Sequence, residues 1–116
     1  MDKTVERQSF GKHIRSLRET KGKLLRQAAA DLDVDQAVLS KLENGLLLPS
    51  EAIIEKLAAY YKTGIDELRV QAYAEKIVGE VGEFKHAEKV ISLVKEHLAS
   101  YVGAEKQGKK KSKKEK

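Results

Sequence analysis

Between Asp35 and Gly45 the chain reads Asp-Gln-Ala-Val-Leu-Ser-Lys-Leu-Glu-Asn-Gly, and four of these side chains have chemistry suited to the edges of DNA bases. Gln36 can bond adenine bidentately, Lys41 can donate to guanine or to a phosphate, Ser40 can bond to either, and the Ala37 methyl can rest against a thymine methyl. At helical spacing Val38, Leu39 and Leu42 share one face, which leaves Gln36, Ala37, Ser40 and Lys41 on the other face or its edge. Asp35 is a good N-cap for such a helix, and Gly45 can take the left-handed conformation that ends one. A polar outer face is also what a merely solvated helix carries, so these residues need support from the rest of the chain.

No other grouping suggests chemistry, and the chain is expected to be neither an enzyme nor dependent on a cofactor or metal. His13, His86 and His97 stand singly on helical stretches. Glu83 and His86 have a spacing that could hold a metal, but two ligands without further support read as surface polar groups. The absence of cysteine removes disulfides, thiol nucleophiles and cysteine-ligated zinc. Phosphate-binding glycine loops and hydrolase motifs are also missing. Tyr60, Tyr61, Tyr73 and Tyr101 read as core or interface aromatics, and no small-molecule effector pocket is evident.

The elements around Asp35 to Gly45 are helical. From about Thr4 to Lys21, Phe10, Ile14 and Leu17 recur at spacings of four and three, and Lys21-Gly22 supplies a basic last turn and a stop. A short helix over about 25–32 buries Leu24, Ala28, Ala29 and Leu32, and the run Ala28-Ala29-Ala30 lets another backbone come close. Asp33-Val34 leaves room only for a sharp turn. After Leu46-Leu47-Leu48-Pro49, Ser50 caps a helix with Ile53, Ile54, Leu57, Ala58 and Tyr61 inside. Leu46 or Leu48 is expected to tuck into the core; the alternative is that this loop meets a partner or the C-terminal helices. Thr63-Gly64 breaks the chain before a helix opening at Ile65 and running to about Val81. A last helix, about Phe84 to Val102, carries Phe84, Ala87, Ile91, Val94, Leu98 and Tyr101 as a stripe that must bury against something. Either it pairs with a second copy through Ile91, Val94, Leu98 and Tyr101, which is the favoured reading, or it packs on the helix containing Tyr73, Ile77 and Val81.

With 116 residues the chain can form one small domain and an appendage. No apolar run approaches membrane-spanning length and the first residues lack a signal-peptide core, so a soluble, cytoplasmic protein is expected. The net charge of +5 is misleading as a sign of DNA binding, because the seven lysines and two glutamates from Gly103 onward account for all of it. Those lysines repel one another and predict a disordered tail, which either adds sequence-independent attraction to DNA or merely solubilises.

Taken together, Phe10 to Leu68 resemble the lambda repressor and Cro-like (Xre) family of helix-turn-helix DNA-binding proteins. The resemblance rests on Phe-Gly-Lys-His-Ile-Arg-Ser-Leu-Arg at 10–18, Arg-Gln-Ala-Ala-Ala-Asp-Leu-Asp-Val-Asp-Gln-Ala-Val-Leu-Ser-Lys-Leu-Glu-Asn-Gly at 26–45, Pro49-Ser50, Leu57-Ala58 and Ile65-Asp66-Glu67-Leu68. It implies an all-α fold: a five-helix lambda repressor-like domain followed by one or two C-terminal helices. By the same resemblance Ala29, Val34, Leu39 and Leu42 form the helix-turn-helix core, while Gln36, Ala37, Ser40 and Lys41 contact bases. Arg26, Lys23 and Asn44 are then the phosphate contacts. The chain departs from the family at Asp33, where glycine is common, at Leu25, where a DNA-contacting glutamine is frequent, and at Leu46 to Leu48, often basic. Asp31, Asp33 and Asp35 also bring carboxylates close to the expected DNA surface.

The domains implied are 1–69 for DNA binding, 70–102 for helical dimerisation and 103–116 for the tail. The expected partners are the major groove of double-stranded DNA and a second copy of the chain. A homodimeric repressor or autoregulator acting on an inverted repeat, of the type that controls restriction-modification genes, is the leading reading. The alternative is an antitoxin-like module whose C-terminal helices bind another protein.

Overall fold

The computed structural model describes residues 9–108, and the expected start of the first helix near Thr4 lies outside them. The described residues form six helices and no strand: α1 Phe10–Thr20, α2 Leu25–Leu32, α3 Gln36–Glu43, α4 Glu51–Tyr61, α5 Ile65–Val81 and α6 Ala87–Gly108. None is long and apolar enough to cross a membrane. The fold class is the expected all-α arrangement of a helix-turn-helix domain followed by C-terminal helix.

Local chemistry sets the boundaries. Ser9, Asp35 and Ser50 each accept, through a side-chain oxygen, from an amide in the first turn of α1, α3 and α4. At α2 the Gln27 side chain performs the reciprocal task, accepting from the Leu24 amide at 2.9 Å. The four helices α1 to α4 share one way of stopping. A residue in the left-handed conformation follows each, at Gly22, Asp33, Gly45 and Lys62, and the next amide donates back five residues, as from Val34 to the Ala29 carbonyl at 3.0 Å. This closure satisfies carbonyls that would otherwise be stranded at the helix end.

The chain separates into two compact units, the first ending at Val78 and the second beginning at Gly79. The boundary expected between residues 69 and 70 falls inside α5. In the first unit Phe10, Ile14, Ala28, Ala29, Leu32, Leu39, Leu42, Ile54, Leu57, Ala58, Leu68 and Ala72 make one continuous core. Burial of these apolar side chains, each contributing about 1.5–3 kcal/mol for the larger ones, is the main stabilising term. Polar ties fix α5 against it: the Phe10 amide donates to the Glu75 carboxylate, His13 bonds Gln71 at 2.7 Å, and Arg69 bridges Glu51 and Asp66.

Three local expectations are corrected. Leu24 is 52% exposed because it precedes α2 as its cap, and Leu25 is the leucine that packs against the core. Neither Leu46 nor Leu48 tucks inward; both stay exposed, because the left-handed turn at Gly45 carries the loop out from the end of α3. Phe84 lies in a turn before α6, which begins three residues later than expected and runs to Gly108. The helix thus continues into the stretch expected to be disordered from Gly103, and the remainder of that stretch, 109–116, lies outside the described residues.

Candidate nucleic-acid interface

Two helices and a sharp turn build the interface. Ala28 and Ala29 on α2 are buried with no bulk beyond a methyl, and Leu39 and Leu42 on α3 are buried as well. Small residues on one helix therefore receive the large ones of the other, which sets their close approach. Val34 packs on the same core from within the turn. The expected scaffold residues Ala29, Val34, Leu39 and Leu42 thus come together. Asp33 adopts the left-handed conformation directly, at φ 59° and ψ 49°, and its carbonyl accepts from Lys56 on α4 at 3.1 Å.

With Leu39 and Leu42 turned inward, α3 turns Gln36, Ala37, Lys41 and Asn44 outward, and Ser40 lies half-buried between them. These positions span an arc of about 140° on a helix of 3.6 residues per turn, a width compatible with a groove. Their freedom differs. Asn44 donates its side-chain amide to the Ser40 carbonyl at 2.9 Å and comes within 3.5 Å of the Ser40 hydroxyl. A donor so engaged must let go before it can clamp a phosphate.

Arg26 in the first turn of α2 is exposed, and Lys23 just ahead of that helix is half-buried. The Lys23 ammonium sits 3.4 Å from the Asp31 carboxylate in a partly exposed pair that water also solvates. Asp31 also accepts from the Tyr60 hydroxyl at 2.6 Å, and Lys21 lies 4.8 Å over the Tyr60 ring. The bond from Tyr60, aided by Lys23 and Lys21, holds the Asp31 carboxyl below its usual range. Asp35 is occupied as the cap of α3. Two of the three carboxylates near this surface are therefore engaged within the domain.

Two residues that hold α3 in place escaped the sequence reading. Gly11 is buried on α1, and a Cβ there would stand 2.6 Å from both the Leu42 and the Glu43 carbonyl oxygens. Backbone meets backbone at that point. Glu43 is itself buried, and Arg18 from α1 reaches it through two parallel bonds of 2.8 and 2.9 Å while donating a third to the Lys23 carbonyl at 2.9 Å. This bond to Glu43 raises the already high pKa of the Arg18 guanidinium. Beside the pair, Tyr61 stacks edge-on to Tyr60 at 4.8 Å, and burial first, then Glu43, pushes its phenol pKa upward. Glu43 falls four residues after Leu39, so helical spacing alone would have placed it on the buried face. Gly11 offered no comparable signal, since its need arises from a helix thirty residues away.

Of the residues expected at a dimer seam, Ile91 is half-buried, while Val94, Leu98 and Tyr101 are exposed on α6. Among the described residues no cluster of histidine, aspartate and glutamate could hold a metal ion.

A family profile described as a helix-turn-helix domain matches residues 9–71, more than half of the chain. Comparison with curated proteins and with solved structures returned no match.

Proposed function

The chain belongs to the helix-turn-helix domain family, and we propose that it is a sequence-specific DNA-binding transcription regulator of the Xre type that reads the major groove with α3. The observation that carries this reading is the outward face of α3, where Gln36, Ala37, Ser40 and Lys41 share one side of a helix whose other side is anchored by Leu39, Leu42 and Glu43. In the proposed complex Gln36 and Lys41 discriminate bases, Ala37 meets a thymine methyl, and Ser40 bonds a base edge or phosphate. Arg26 supplies a phosphate contact directly. Lys23 and Asn44 supply theirs after leaving Asp31 and Ser40, which makes the general affinity modest and the selective part prominent.

One short helix covers few base pairs, so the regulator acts as a homodimer on an inverted repeat, with half-sites about 34 Å apart. The exposed apolar residues of α6 support a protein contact there. Occlusion of a promoter by such a dimer makes the chain a repressor or autoregulator, and no step calls for a catalytic group, cofactor or effector. Selection of bound duplexes from a random pool tests this, run in parallel with the Gln36→Ala/Lys41→Ala double variant. The expected result is an inverted repeat recovered by the unaltered protein and lost by the variant, each substitution relaxing its own base pair by about 1–3 kcal/mol. An unenriched pool would sink the reading.

A further inference from the structure

Charged residues flank the apolar stripe of α6 unevenly. Ala87, Ile91, Val94, Leu98 and Tyr101 alternate at spacings of four and three, the pattern of a coiled-coil contact. Val94, Leu98 and Tyr101 are 37%, 54% and 64% exposed. Glu88 and Lys95, both exposed, each follow a seam residue and so flank the seam on one side, while Val90 and His97 flank it on the other.

We propose that α6 pairs with α6 of a second copy of this chain in antiparallel register, with Ile91 opposite the partner's Val94 and Ala87 opposite the partner's Leu98. In an antiparallel pair the same flank of each helix faces the other, so Glu88 meets the partner's Lys95 and, by the two-fold axis, Lys95 meets the partner's Glu88. A parallel pair would instead set Lys95 against the partner's Val90, and no opposite charges on the helix would meet. Side-chain size agrees with the antiparallel choice. The small Ala87 receives the long Leu98, and Tyr101 reaches the partner's Phe84, which is 54% exposed just ahead of the helix. This deepens the homodimer reading and rests on it for its purpose: the two Ala87 positions stand about 16 Å apart along the axis, so each DNA-reading unit leaves from its own end.

The test uses full-length protein and sedimentation equilibrium. Glu88→Lys and Lys95→Glu are each expected to weaken self-association by roughly tenfold, because like charges then face each other twice. An equimolar mixture of the two variants is expected to regain the lost affinity, since a Lys/Lys helix then faces a Glu/Glu helix. As the chain has no cysteine, differently tagged Ala87→Cys and Leu98→Cys proteins can report register directly, and mild oxidation of their mixture should join one to the other. A monomeric unaltered chain, single variants that associate normally, or Leu98→Cys joined mainly to itself would each overturn the antiparallel pairing. Duplex selection on the same preparation separates the two ideas. Enrichment by a monomer overturns the pairing alone, whereas an antiparallel dimer that enriches nothing supports the pairing and overturns the DNA reading alone.

Discussion

Gly11 and the backbone of Glu43 meet where α1 crosses the end of α3, and in the proposed complex both residues act through the placement of α3 without touching DNA. Gly11→Ala forces a methyl to within 2.6 Å of two backbone carbonyl oxygens, and backbone cannot rotate aside as a side chain can. We expect urea unfolding to register a loss of about 2 kcal/mol, with weakened operator binding at protein concentrations where the variant is still folded, because α3 must tilt to make room. The Arg18 and Glu43 side chains are 12% and 3% exposed, so removing one leaves the other charged and buried. Arg18→Met should cost about 3 kcal/mol, and Arg18→Met/Glu43→Leu should recover most of that, since apolar replacement of both partners strands no charge. At Tyr60 the phenol pKa is pushed up to about 12, first by burial and then by its bond to Asp31. A group whose folded pKa lies above the unfolded value of 10 contributes stability in full below that pH and loses it as pH rises toward 12. Tyr60→Phe should therefore flatten the alkaline limb of the stability curve between those values, measured by thermal unfolding at a series of pH.

At the scale of elements, the turn between α2 and α3 separates what a sequence can disclose from what it cannot. Asp33 holds φ 59° and Lys62 holds φ 54°, a region that strains any side chain with a Cβ. Asp33→Gly should stabilise the domain by about 1 kcal/mol, and Lys62→Gly by a similar amount, because both closures use backbone groups that glycine retains. A lower urea midpoint for Asp33→Gly would show that the aspartate side chain contributes something beyond the turn. The turn itself was legible because Leu32 and Gln36 leave so few residues between two helical patterns. Helix starts at Asp35 and Ser50 were legible for a related reason: capping is local, and both the donor and the acceptor lie within one turn. Non-local facts were less so. Leu24 and Leu25 are adjacent on a helix start, and only the packing of α2 against the core decides which one is buried. The outward loop at Leu46 to Leu48 likewise depends on the direction in which Gly45 releases the chain. For the candidate interface, the polar face of α3 was read from spacing, whereas the engagement of Lys23 by Asp31 and of Asn44 by Ser40 needed coordinates.

Across the whole molecule, charge is distributed unevenly enough to make a further test. The last eight residues carry six lysines and one glutamate, so the excess of +5 lies entirely after Gly108 and the preceding residues are formally neutral. Under the proposed function the tail is the expected main source of long-range attraction to DNA, because the rest of the chain is formally neutral. Ending the chain at Gly108 keeps every described helix and removes that source. Affinity for a selected operator, measured by fluorescence anisotropy over a range of salt, should then depend less steeply on salt, the slope falling by about 0.9 for each phosphate the tail had neutralised. The ranking of operator variants should not change, because contacts to phosphate position the protein without reading sequence. Unchanged slopes would assign the tail no role in DNA attraction and move the whole electrostatic contribution onto Arg26, Lys41 and their neighbours. A changed ranking would be more consequential, since it would mean that the lysines reach into a groove and take part in reading the site.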